Sequence, residues 1–97
     1  MIIIAWKKIS SYCKLHPTSC ESLLRWYKLV GVADWSTAHQ MFADIGYVDS
    51  VGNDRYVFNI KGNDYRLVAM IHFDRRTVYV RFIGTHNAYN KIDCSTI

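Results

Sequence analysis

The residues of this chain best equipped for chemistry lie in its second half, where Asn59, Lys61, Arg66, Arg81, His86, Tyr89 and Lys91 follow one another at short intervals. They comprise an amide, several cations, an imidazole and a phenol. That set suits a phosphodiester whose own 2′-hydroxyl attacks the adjacent phosphorus. Such a reaction needs a base for the hydroxyl, a cation for the charge gathering on the phosphate, and an acid for the departing oxygen. His86 and Tyr89 are the candidates for proton transfer. Arg66 and Lys61 are the candidates for charge stabilisation, which makes Arg66, His86 and Tyr89 the expected catalytic group. Asn59, Lys61, Arg81 and Lys91 are expected to hold the RNA strand, because amides and cations grip phosphate and sugar while aromatic rings stack on unpaired bases. The scheme calls for no metal ion and no cofactor.

Each of these residues also has a plainer use. Arg66 could pair with Asp64 or Asp93, His86 could bond a carbonyl at a strand end, and Asn59 could brace a turn. Cys13, His16 and Cys20 have tempting spacing, but a closed zinc site needs four ligands and no second pair stands nearby. There is no Gly-x-Ser-x-Gly nucleophile turn and no glycine-rich phosphate loop.

Several elements must position this set. Trp6, Ile9 and Cys13 recur at helical spacing, and Pro17 ends that helix near Leu15. Thr18 or Ser19 is expected to cap a second helix with Glu21 in its first turn, a buried face of Leu23, Leu24, Tyr27 and Val30, and a stop at Gly31. Ser36 or Thr37 opens a third helix carrying Ala38, Met41, Phe42 and Ile45, ended by Gly46. The period then changes. Tyr47 to Val51 reads as a short strand. In Arg55 to Ile60, Tyr56, Phe58 and Ile60 face one way and Val57 and Asn59 the other. Lys61-Gly-Asn-Asp64 is a hairpin turn whose conformation Asn63 is expected to supply. Tyr65 to Phe73 returns with Arg66, Val68, Met70 and His72 opposite Leu67, Ala69 and Ile71. Asp74-Arg-Arg76 turns again, and Thr77 to Gly84 is a further strand. Ile2 to Ile4 reads as one more strand, and His86 to Ile97 as a short helix or ordered turn. Helices followed by strands predict an α+β domain with the N-terminal helices on one face of a small, mainly antiparallel sheet. The other face is expected to stay open to water and to carry the polar set.

A length of 97 residues predicts a single domain, residues 1–97, and hydrophobic residues at 51% predict a globular one. The formal charge is +4. Residues 1–50 hold five Lys/Arg against four acids, and residues 51–97 hold seven against four, so the excess follows the strands. That imbalance points to a polyanion such as nucleic acid. No apolar run approaches a membrane span. Three cysteines, an odd number, argue against a secreted disulfide framework and for the cytoplasm.

The stretches Arg55-Tyr-Val-Phe-Asn-Ile-Lys-Gly-Asn-Asp-Tyr-Arg-Leu-Val68, Val78-Tyr-Val-Arg-Phe-Ile-Gly-Thr-His86 and Asn87-Ala-Tyr-Asn-Lys-Ile-Asp93 resemble the HigB toxins of the RelE/ParE superfamily. Leu24-Arg-Trp-Tyr-Lys28 and Ala33-Asp-Trp35 fit as well, so the resemblance spans almost the whole chain. It implies a RelE-like fold and metal-independent cleavage of messenger RNA on the translating ribosome. It also implies neutralisation by a HigA-type helix-turn-helix antitoxin, through which the toxin meets operator DNA. Arg66 matches the arginine that begins the corresponding strand in RelE-like nucleases, His86 stands where they place a basic residue past the last strand, and Tyr89 matches their C-terminal tyrosine. Other RelE-like enzymes have arginine or lysine where this chain has His86. The ParE relatives poison DNA gyrase instead, and a nonenzymatic RNA-binding module is a further alternative.

Overall fold

The computed structural model describes residues 1–4 and 6–97. The chain forms a five-stranded sheet with helices α1 (Trp6–Leu15), α2 (Pro17–Val32) and α3 (Ala38–Asp44) before most of its strands. The strands are β1 (Ile2–Ile4), β2 (Val48–Gly52), β3 (Arg55–Ile60), β4 (Tyr65–His72) and β5 (Thr77–Thr85), and α4 (His86–Tyr89) follows β5. Their spatial order is β1-β5-β4-β3-β2. The β2–β5 pairings are antiparallel, and β1 lies parallel to β5 at the far edge. This is the expected α+β arrangement.

The core forms where the helices meet the face carrying Tyr56, Phe58, Ile60, Leu67, Ala69 and Ile71, so the strand alternation read from the sequence holds. Trp26 of α2 meets Phe58 edge-on at 5.3 Å between ring centroids. Pro17 acts twice. It ends α1, and it occupies the first turn of α2, where its missing N–H costs nothing. His16 therefore sits at the N-cap outside the helical region that a following proline disfavours, at φ -132° and ψ 75°, with no side-chain cap. The expected capping by Thr18 or Ser19 is thus corrected: Ser19 is one turn inside, fully buried, and its hydroxyl donates to the His16 carbonyl at 2.7 Å. Glu21 falls outside the first turn for the same reason. The buried stripe of α2 is Ser19, Leu23, Trp26 and Val30, with Leu24 turned to solvent. Gly31 does not stop this helix. It continues to Val32, and the Met1 amino group donates to the otherwise unpaired carbonyls of Gly31 and Ala33. Thr37 does cap α3, accepting from the Gln40 N–H at 3.2 Å.

The second face of the sheet is less open than expected. Val57 and Val68 on that face are buried outside the main core cluster. Helix α4 packs back on β4 and β5. Beyond it, the main-chain oxygens of Ser95 and Ile97 accept bonds from the Asn53 amide and the Arg55 guanidinium. The C-terminal segment therefore forms a partial second layer, and the polar set lies beside it.

Candidate functional site

The β3–β4 hairpin sets the geometry. Its turn is made by Lys61 at φ 52° and Gly62 at φ 63°. Asn63 does not adopt the left-handed conformation expected of it; its carbonyl instead accepts from Arg66 Nη1 at 3.1 Å. A lysine at positive φ brings its Cβ close to its own carbonyl, at a cost of about 1 kcal/mol. The turn thus holds Lys61 exposed at the hairpin tip under modest strain.

Arg66 is the most unusual residue nearby. It is only 8% exposed. Nη1 also donates to the Tyr65 carbonyl at 3.1 Å, while Nε and Nη2 make no hydrogen bond among the described residues. The structural alternative for this arginine is not realised. Among the described residues the ion pairs are Arg25–Glu21 and Arg76–Asp34, and neither Asp64 nor Asp93 pairs with Arg66. A buried cation without a carboxylate is costly, and a bound anion offsets that cost. In register, Arg66 pairs with Asn59 of β3 on one side and Gly84 of β5 on the other, so the three share the second face. Gly84 makes room there for the Phe82 ring: a Cβ would stand 2.5 Å from Phe82 Cζ and 3.3 Å from Ala88 Cβ, so the ring would have to shift.

Tyr89 closes this corner. Its ring centroid lies 6.0 Å from Arg66 Cζ, at the limit of a cation–π contact. Its hydroxyl meets Cys94 Sγ at 3.4 Å. That hydrogen bond, then burial and the negative field of Asp49, outweigh Arg66 and push the phenol up to about 12. At neutral pH the Tyr89 hydroxyl keeps its proton.

His86 begins α4 immediately after β5 and is exposed. Thr85 caps that turn by accepting from the Ala88 N–H at 3.2 Å, and the His86 N–H donates to the Asp64 carbonyl at 3.1 Å. His86 lines a cleft of about 310 Å³ together with Thr18, Lys61, Tyr65 and Thr85. Lys61 also borders a second cleft of about 430 Å³, between α2 and the β3–β4 hairpin, together with Arg25, Trp26, Tyr47 and Asn59.

The structure thus gathers Asn59, Arg66 and Tyr89 on the sheet face and Lys61 with His86 at the adjoining hairpin tip. Arg81 stands apart: a register shift opposite Val68 and Ala69 leaves it unpaired and exposed in a bulge. Lys91 is exposed on the turn after α4, its N–H donating to the Ala88 carbonyl. Sequence reasoning overlooked Asp49 and the role of Cys94 beside Tyr89. Only Asp49 left a signal, as the polar neighbour of inward-facing Val48 in β2. Cys13, His16 and Cys20 do not form a ligand set: His16 stacks on Tyr12 at 4.3 Å, and among the described residues no three His, Cys, Asp or Glu side chains are placed to hold one ion.

Comparison with known proteins agrees with this architecture. Residues 19–92 match the HigB_toxin family, described as the RelE-like toxic component of a toxin–antitoxin system. The chain is 27% identical over 94 residues to "mRNA interferase HigB" of Escherichia coli O6:H1 (strain CFT073), an alignment covering 95% of this chain and 91% of that protein. A shorter stretch of 35 residues, 36% of this chain, is 46% identical to "mRNA interferase toxin HigB" of Escherichia coli strain K12 and equally to "mRNA interferase HigB" of Shigella flexneri, covering 34% of each. The family match takes in nearly all of α2, the whole of α3 and every strand from β2 to β5, and on that ground the chain belongs to the HigB family of RelE-like toxins, the toxic partners of toxin–antitoxin pairs.

Proposed function

We propose that this toxin is an endoribonuclease that cuts messenger RNA, an mRNA interferase, and that it does so with side chains alone. The observation that carries the reading is Arg66: a largely buried arginine with no carboxylate partner and two nitrogens without a hydrogen bond among the described residues, beside a phenol that keeps its proton. The scissile phosphate binds at Arg66, with Lys61, Asn59, Arg81 and Lys91 along the strand on either side. His86 takes the proton from the 2′-hydroxyl, whose oxygen then bonds to phosphorus. Arg66 holds the charge that develops on the phosphoryl oxygens. Tyr89 gives its proton to the departing 5′-oxygen, leaving a 2′,3′-cyclic phosphate and a free 5′-hydroxyl. The family supplies an antitoxin partner, and we take it to be of the HigA type with a helix-turn-helix domain. The basic, partly open face suits RNA presented in the ribosome, and the three free cysteines suit the cytoplasm.

Brief induction in cells followed by mapping of transcript ends tests this. New 5′-hydroxyl ends in translated messages are expected, and purified toxin should cut ribosome-bound message equally well with a chelator present. Growth arrest with intact messages, and loss of gyrase supercoiling instead, would overturn the reading.

A further inference from the structure

The cleft between α2 and the β3–β4 hairpin shares Asn59 and Lys61 with the strand-holding set above, and its remaining walls are built as a binding site of their own. Trp26 lines it and is 1% exposed. Among the described residues its indole Nε1 is the one buried side-chain polar atom without a hydrogen-bond partner. By contrast, the Trp35 indole donates to Asp44 Oδ2 at 2.7 Å. A buried N–H left unpaired costs about 1–3 kcal/mol, which an acceptor entering the cleft would recover once a small shift of the cleft wall uncovers the indole. The cleft's other walls say which acceptor. Tyr47 is 41% exposed and offers a ring for stacking. Ile60 gives an apolar floor, Lys61 supplies a cation at the rim, and Arg25, paired with Glu21, stands beside it. Asn59 ties the cleft to the chemistry: its N–H donates to the Tyr47 carbonyl at 3.0 Å, and it is the register partner of Arg66. An aromatic wall, a lone buried donor and a rim cation are the complement of one nucleotide: a flat base with ring nitrogens and carbonyls, carried on a phosphate.

We infer that this cleft is a nucleotide subsite, which takes one base of the RNA strand next to the phosphate held by Arg66 and pairs it with the Trp26 indole. The inference rests on the nuclease reading and adds to it a source of base preference beside the cut. Apolar walls alone discriminate poorly between bases, whereas a buried donor rejects any base edge that leaves it unpaired.

The test uses the intact toxin and a short RNA made uncleavable by 2′-O-methylation. In proton–nitrogen correlation spectra the three tryptophans give separate indole signals, assigned by single Trp→Phe variants. The Trp26 signal should move on saturation while that of Trp35 stays. Inorganic phosphate alone should leave both in place. Trp26→Phe keeps an aromatic ring against Phe58 and should weaken binding roughly tenfold, the loss of one good hydrogen bond. Tyr47→Ala, at an exposed position, should weaken binding several-fold and flatten the base preference beside the cut even if Trp26→Phe fails to fold. A Trp26 signal that does not move while the RNA binds and wild-type toxin cuts would overturn the subsite and leave the nuclease standing; it would mean that ordered water satisfies the indole. Absence of cutting by wild-type toxin on ribosomes would instead overturn the nuclease reading.

Discussion

Replacing Arg66 by methionine separates a catalytic arginine from a structural one, because the structure predicts opposite magnitudes for activity and stability. Methionine keeps the length of the side chain and its packing between Asn59 and Gly84 while removing the charge and all donors. Two opposing effects bear on stability. The Asn63 and Tyr65 carbonyls each lose a bond from a charged donor, about 1.5 kcal/mol apiece. Against this, a cation on a residue only 8% exposed, with no carboxylate partner among the described residues, no longer needs desolvating, which returns a comparable amount. The net change should lie within about 1.5 kcal/mol of zero, whereas breaking a buried ion pair would destabilise by about 3–5 kcal/mol. Activity should respond differently. A donor aimed at charge that forms only in the transition state is worth about 3–4 kcal/mol, a loss of roughly 10²–10³-fold in cleavage rate. Urea unfolding and initial rates on ribosome-bound message, measured on the same preparation, give both numbers. Arg66→Met protein that is folded and cuts within a few-fold of wild type would refute the assignment. So would an activity loss that merely tracks unfolding.

Three further outcomes follow from the same geometry. Cys94→Ala removes the largest cause of the raised Tyr89 pKa, so the phenol should titrate below its present value of about 12, read from the tyrosine ring-carbon signal by NMR. Because the folded value lies above the ordinary one near 10, the stability contributed by neutral Tyr89 is complete below about pH 10 and fades as pH rises toward 12. Lys61→Gly relieves a positive φ and should raise unfolding stability by about 0.5 kcal/mol, while it weakens RNA binding and lowers the salt slope by about 1, read from melts and salt titrations. Gly84→Ala forces its Cβ against the Phe82 ring and Ala88, and should cost about 1–3 kcal/mol in thermal unfolding and slow cleavage with it.

Local patterns in the sequence were enough for the order of elements and for the two sides of β3 and β4, since alternation and helical spacing are properties of neighbouring residues. They put Arg66 and Asn59 on the face away from the core, and the structure agrees. Pro17 was legible as a break, but not as the first residue of the next helix, because the cap that Ser19 seemed able to make depends on where the helix begins. Asn63 was chosen for the turn on residue type alone; the pairing of Ile60 with Tyr65 places the positive φ values on Lys61 and Gly62 instead.

What the sequence determined alone about the opening set of residues is their chemistry, their charge and the strand faces they occupy. The tertiary structure decided the rest. Among the described residues it withheld a carboxylate from Arg66 and left the Trp26 indole unpaired beside a cleft; it also brought Tyr89 against Arg66 through the returning C-terminal segment and set Arg81 in a bulge. Each of these depends on contacts between residues far apart in the chain. Such contacts are set by packing and by competition among partners, and no local spacing encodes them.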